Sequence, residues 1–236
     1  MKKICFNDTF SLMKKFLLFL LALLILQTIS FAESSSFVKQ IDEFSCGPVS
    51  SYNLIKKSCP ACRDYDINKL KSFERTDNNG TTTYNLCNGL NKYFKSQNLQ
   101  TNISYYGVKK LKRYKNGSNV DFQNISKLLN EGNSAILNIG VYTLNDDGSY
   151  TRHWGHYVNL ISVSDNKLKV FDPYDKANQY SDWTIKTLTD IKVNNINDNE
   201  KYVNLKNYHI ISSQINYLEK NEFALVNGVI LINDFE

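Results

Sequence analysis

Residues 157–171 constrain this chain more than any other segment. Tyr157 to Ser164 is an apolar run, Asp165-Asn166 is a turn pair, and Lys167 to Phe171 alternates apolar and basic residues. That order reads as a β-hairpin, which brings side chains at the start of one strand beside those at the end of the next. Strand patterns continue around it at Ser134 to Tyr142, Tyr208 to Ile215 and Phe223 to Ile232. The first half of the chain has a helical period instead. Residues 46–57 read as a helix opening at Cys46-Gly47-Pro48, where proline is tolerated because its missing N–H has no partner in a first turn. Thr81-Thr82-Thr83 caps an amphipathic helix through Leu86, Cys87, Leu90, Tyr93 and Phe94 to Gln97. A short strand at Thr101 to Tyr106 precedes a helix that Asp121 caps, which runs to Leu129 and stops at Asn130-Glu131-Gly132. Asn194 to Asn199 reads as a loop. Helices first and strands later is an α+β order, with N-terminal helices packed on an antiparallel sheet. The 15 tyrosines and 13 phenylalanines place much of the core on that sheet.

The chain opens with an export signal. Met13-Lys14-Lys15 precedes an unbroken apolar run from Phe16 to Leu26, and Ser30-Phe31-Ala32 carries small residues where a signal peptidase reads. The run is shorter than the roughly twenty residues of a membrane span. Residues 1–32 are therefore expected to be a signal peptide, with translation starting at Met1 or Met13. Residues 33–180 form the expected main domain, and 181–236 a C-terminal extension of it. The product would be secreted or periplasmic, with no membrane anchor after cleavage. Most of the net charge of +5 resides in this segment, where Lys2, Lys3, Lys14 and Lys15 face only Asp8. The remainder is too evenly charged for a nucleic-acid surface. The one basic stretch, Lys109 to Lys115, reads as a solvated edge.

Cys46 stands apart from Cys59, Cys62 and Cys87. In an exported protein the last three are candidates for a disulfide, and the preferred pairing ties Cys87 to Cys59 or Cys62. Cys59-Pro60-Ala61-Cys62 also has redox or half-zinc-site spacing, but no βαβ context and no second ligand pair accompanies it. No metal and no cofactor is expected.

Three short segments carry chemistry: Gln40 to Pro48 around Cys46, His153 to Leu160 around His156, and Val170-Phe171-Asp172-Pro173. A thiol attacks a carbonyl as the thiolate, and a helix N-terminus with a nearby imidazolium favours that form. Cys46 meets the first condition. His156 directly precedes the apolar strand, and Asp172 ends the return strand of the same hairpin, so the carboxylate can fix the imidazole tautomer. Gln40 can offer a side-chain amide to a developing oxyanion, with the backbone N–H of Cys46 as second donor.

Gln-x5-Cys-Gly-Pro, Gly-His-Tyr-Val and Phe-Asp-Pro, in that order, resemble the papain-like cysteine peptidase superfamily. Within it they are closest to the bacteriocin-processing peptidases that cut after double-glycine leaders and to their stand-alone relatives. The resemblance spans residues 37 to about 175. It implies a papain-like fold, Gln40 in the oxyanion hole, Cys46 as nucleophile, His156 as general base and acid, Asp172 as orienting carboxylate, and a peptide or protein substrate. The segment beyond residue 180 and the Cys59, Cys62 and Cys87 set lie outside it.

His153 is the rival base, but the apolar strand and the Asp172 partner favour His156. His209, Trp154 and Trp183 read as structural. Three other functions compete: amide or acyl-transfer chemistry like that of phytochelatin synthases or cell-wall amidases, a secreted binding module on the same fold, and a redox or metal protein built on Cys59 and Cys62.

Overall fold

A computed structural model describes residues 37–59, 62, 66–111, 113–194 and 203–233. The expected signal peptide and nearly all of the Asn194–Asn199 loop lie outside the described residues. Among the described residues no helix is long and apolar enough to cross a membrane.

Four helices precede the main body of the sheet: α1 (Cys46–Ser58), α2 (Ile67–Phe73), α3 (Thr83–Ser96) and, after two strands, α4 (Phe122–Asn130). Their starts follow the local chemistry. Thr82 accepts a hydrogen bond from the Asn85 N–H, and Asp121 accepts from the N–H groups of Gln123 and Asn124, each filling donors that a first turn leaves unpaired. Helix α2 is capped the same way by Asp66 and buries Leu70, which is too little apolar surface to show as a helical period in the sequence.

Eight strands form one sheet: β1 (Asn102–Gly107), β2 (Lys115–Gly117), β3 (Ser134–Leu144), β4 (Tyr150–Ser164), β5 (Lys167–Phe171), β6 (Tyr180–Val193), β7 (Val203–Ile211) and β8 (Glu222–Asn233). Their order is β2-β1-β8-β3-β4-β5-β6-β7. The sheet is not the simple antiparallel layer expected. The last strand returns to pair with β8 at Ile210 and Leu225, so β8, β3, β4, β5, β6 and β7 curl into a barrel. Register shifts at Val141/Tyr142, Asn138/Ile139 and Leu160/Ser162 supply the bulges that curl it. Two pairings are parallel, β1 with β2 and Tyr150 of β4 with Val193 of β6.

The hairpin runs as its pattern indicates, with Asn159 opposite Phe171. Strand β4, however, begins at Tyr150, so His156 lies inside a 15-residue strand rather than at its start. Thr151, Arg152 and His153 among the added residues are polar, and pairing with the apolar β3 holds the segment in place, from Leu144–Tyr150 to Ile139–His156. Residues 181–236 contribute β7, β8 and nearly all of β6, and β8 lies between β1 and β3.

Helix α1 lies against β4. The Ser50 hydroxyl donates to the Tyr157 carbonyl at 3.0 Å, and the Asn159 amide donates to the Ser50 carbonyl at 2.9 Å. Both pairs are buried, so each is worth more than an exposed equivalent and fixes the helix along the strand. Behind α1, a core of Leu54, Ile55, Leu86, Leu90, Tyr93 and Phe94 joins the helices to the sheet.

The cysteine pairing differs from the preferred one. Cys59 and Cys62 form the disulfide, while Cys87 is a free thiol buried in α3. A tight turn decides it: the Cys62 N–H donates to the Cys59 carbonyl at 3.0 Å, and the two Cα atoms sit 5.3 Å apart, within disulfide reach.

Candidate active site

A cleft of about 720 Å³ opens between the N-terminus of α1 and the bulged part of β3 and β4. Gln40, Cys46 and His156 line it. Cys46 is the first residue of α1, and Pro48 in the same turn has no N–H, so the N–H groups of Cys46 and Gly47 are the free donors there. Gly47 packs hard on its neighbours: a Cβ at that position would stand 3.1 Å from the Thr81 side chain and 3.2 Å from Leu86. A larger residue would push the helix start, and with it the thiol, away from the strand.

The β4–β5 register explains how His156 meets Asp172. Asn159 pairs with Phe171, so one further step sets Asp172 opposite Val158, diagonal to His156 on the same face. The His156 Nε2 hydrogen-bonds Asp172 Oδ1 at 2.7 Å, and the two side chains are 5% and 1% exposed. With Nε2 committed, Nδ1 is the nitrogen left for the Cys46 thiol, which lies near enough to act on the charge of the ring.

Burial alone would lower the His156 pKa. The Asp172 carboxylate and the Cys46 sulfur outweigh burial and raise it to about 10. Burial likewise works to raise Asp172, but the His156 charge and three hydrogen bonds hold it below its ordinary value. Those donors are His156, the Tyr174 N–H at 2.9 Å and the Tyr217 hydroxyl at 2.7 Å. Burial and the Asp172 charge push the Tyr217 phenol well up, which keeps its proton available for donation. Trp154, Tyr174 and Tyr217 pack around the imidazole with ring centroids 6.4, 6.1 and 6.1 Å away. This aromatic wall excludes water from the pair and strengthens it.

Gln40 is held from both sides. Its N–H donates to the Pro173 carbonyl at 2.7 Å, next to Asp172. Two residues back, the Asn53 amide of α1 bonds both the N–H and the carbonyl of Val38. One N–H of the Gln40 side-chain amide goes to the Asp42 carbonyl at 3.0 Å, which leaves the second uncommitted. His153 also borders the cleft but is exposed, and its ring bonds Thr143 and pairs with Glu222 at 3.5 Å. His209 is structural, donating to the Val120 carbonyl at 2.9 Å and packing on Phe122.

Tyr217, Tyr174 and Glu74 carry no sequence signal for this site. Tyr217 arrives from the 212–221 connection, and Tyr174 is marked only by following Asp172-Pro173. Glu74, at the end of α2, is fully buried, with the Ser51 hydroxyl as its polar neighbour. Burial pushes its carboxyl well above the ordinary range, and the nearby Cys46 sulfur adds to that. Among the described residues no cluster of His, Cys, Asp or Glu could hold a metal ion.

No protein-family model matches the chain, and no curated protein does. Solved structures do. The chain is similar to the peptidase domain of Streptococcus ComA, a bifunctional ABC transporter of a quorum-sensing pathway, at 16% identity over 62% of this chain and 84% of that one, with a TM-score of 0.40. It is similar to a C39-like peptidase from Bacillus anthracis at 12% identity over 64% and 86%, with a TM-score of 0.44. A double-glycine-motif protease from an AMS/PCAT transporter, in complex with its leader peptide, matches at 13% identity over 62% and 77%, with a TM-score of 0.33.

Proposed function

We propose that the chain is an exported cysteine peptidase that hydrolyses a peptide bond through a thioester on Cys46. The observation that carries this reading is the His156 imidazole, buried between the Asp172 carboxylate and the Cys46 thiol at the floor of an open cleft. A buried, paired imidazolium stabilises a thiolate, and a helix N-terminus adds to that.

In this mechanism His156 takes the Cys46 proton at Nδ1, and the sulfur attacks the carbonyl carbon. The oxyanion is received by the Cys46 N–H and the uncommitted N–H of Gln40. The amine leaves with the proton from His156, producing the thioester. Water then attacks, giving its proton to His156, and the carboxylic acid departs as the Cys46 sulfur recovers a proton. Asp172 holds the ring in one tautomer throughout, and Tyr217 holds Asp172.

The test is incubation of the purified mature chain with a peptide library, beside Cys46→Ala. Hydrolysis by the first and none by the second is expected, with a thioester-linked acyl group trapped on Cys46 at acid pH. Equal hydrolysis by both would end the proposal.

A further inference from the structure

Arg152 stands four residues before His156 on β4, with its side chain bordering the cleft. The side chain is half-buried, and its Nε is sealed from solvent with no hydrogen-bond partner. Among the described residues no carboxylate pairs with it. Neighbouring acids are engaged elsewhere: Glu222 faces His153, Asp147 faces Lys192, and Asp172 is held by His156, Tyr174 and Tyr217. A half-buried guanidinium without a counter-charge loses hydration and gains nothing in exchange.

Its position is built. A Cβ on Gly155 would lie 2.3 Å from the Arg152 Nη2, so the guanidinium occupies the space that the missing side chain leaves. The head of a residue four places away is thereby brought beside the neighbour of His156. The other charged residues on this cleft are Lys109 and Lys110 against Glu43, so its walls are predominantly basic. Asn138, on β3 across from Tyr157, adds a second unmet group. It is 2% exposed and borders the same cleft, and its Oδ1 has no partner while its amide donates to the His156 carbonyl.

We propose that Arg152 is a specificity residue that receives a carboxylate of the substrate, within about two residues of the bond that is cut. This rests on the reading of the cleft as a peptidase substrate cleft. The distance follows from the head group lying beside Gly155 and from a rise of about 3.3 Å per extended residue. The planar fork of arginine matches the two oxygens of a carboxylate, a fit that lysine lacks. Asn138 Oδ1 accepts a backbone N–H of the same extended segment. The carboxylate comes from an acidic side chain or from the free C-terminus of the peptide.

Two measurements on the full mature chain separate the outcomes. The first compares hydrolysis of matched peptides carrying Glu or Gln at each position around the cut, with free or amidated C-termini, by wild type, Arg152→Gln and Arg152→Lys. The expected result is a preference of about 10- to 100-fold for the acidic member, the scale of one charge-assisted pair. That preference collapses toward one in Arg152→Gln and is partly retained in Arg152→Lys. Preference for Glu with an amidated end identifies a side chain, and preference for the free end with neutral side chains identifies the C-terminus. Cys46-dependent hydrolysis with no acidic preference, or one that survives in Arg152→Gln, overturns the inference and leaves the peptidase reading standing.

The second measurement needs no turnover. Binding of acetyl-Gly-Glu-amide and acetyl-Gly-Gln-amide, and of acetyl-Gly-Gly with a free or amidated end, is followed by Trp154 fluorescence in Cys46→Ala, with and without Arg152→Gln. Gly155→Ala serves as a variant that displaces the guanidinium without removing it. Tighter binding of the carboxylate-bearing member of either pair, lost in both variants, supports the role of Arg152 even if no peptide is cut. Equal binding within both pairs refutes it.

Discussion

Tyr217→Phe tests whether the site extends beyond the residues that its motifs mark. The substitution removes one hydroxyl and keeps the ring, with its centroid contacts of 5.0 Å to Tyr174, 6.2 Å to Trp154 and 6.1 Å to His156. What is lost is the 2.7 Å bond to Asp172 Oδ2, on a carboxylate that is 1% exposed. Among the described residues that oxygen has no other donor, and its burial keeps solvent from replacing the bond cheaply. A hydrogen bond to a buried charge is worth about 1.5–3 kcal/mol, and a pKa unit is worth about 1.4 kcal/mol. Without that donor the Asp172 carboxylate is held down less firmly and should titrate at higher pH. Its folded pKa lies below the ordinary 3.8, so it stabilises the fold above that value and the contribution fades as pH falls through the folded value. The loss from Tyr217→Phe should accordingly be about 1.5–3 kcal/mol at pH 7 and smaller near pH 3. Urea unfolding of both proteins at the two pH values measures this. The acid limb of peptide hydrolysis should shift to higher pH, with a fall in kcat/KM of about tenfold. Wild-type stability at pH 7 together with an unmoved acid limb would refute the argument.

Three further outcomes are expected. Asp172→Asn should slow turnover roughly 10²- to 10⁴-fold without abolishing it, because it disturbs tautomer and orientation but leaves nucleophile and base in place; single-turnover kinetics measures this. Glu74→Gln should stabilise the protein at neutral and alkaline pH. A carboxyl whose folded pKa is raised costs up to about 1.4 kcal/mol per pH unit above its unfolded value of 4.5 until the folded value is reached, and glutamine does not titrate. Unfolding midpoints that rise in parallel for both proteins across pH 5–8 would contradict this. Replacing Cys59 and Cys62 by serine should cost about 2 kcal/mol, since the bridge closes a loop with a sequence separation of only 3. Thermal melts of oxidised and doubly substituted protein measure the difference.

The parts of the fold that were legible are those where one local pattern has one solution. The hairpin at 157–171 is two apolar-containing runs about a two-residue turn, and its register then dictates the His156–Asp172 contact. The helix at Cys46 reads from Gly47-Pro48 and the period that follows. What was not legible is set by tertiary pairing. Tyr150 to Gly155 look like loop, because Thr151, Arg152 and His153 are polar, and only the β3 partner makes them strand. Strand β6 buries Trp183, Ile185, Ile191 and Val193, but its outer half is mixed, so the alternation is interrupted midway. Tyr217 reaches Asp172 only after β7 and β8 close the barrel, a contact 45 residues apart with no local period to announce it. Cys87 misled for a related reason. The Cys59–Cys62 bridge satisfies both sulfurs locally, whereas the C-x-x-C spacing reads equally as a redox motif or half a zinc site.

The central claim is that His156 activates Cys46, and alkylation at pH 6 with limiting iodoacetamide tests it most directly. The mature protein is labelled and each cysteine is quantified by mass spectrometry. Cys46 in the native chain should react faster than the same residue in urea-unfolded protein. Buried Cys87, whose thiol desolvation pushes far up, should stay unlabelled. The Cys46 advantage should vanish in His156→Ala. Native Cys46 reacting no faster than unfolded, or keeping its rate without the imidazole, would contradict the account.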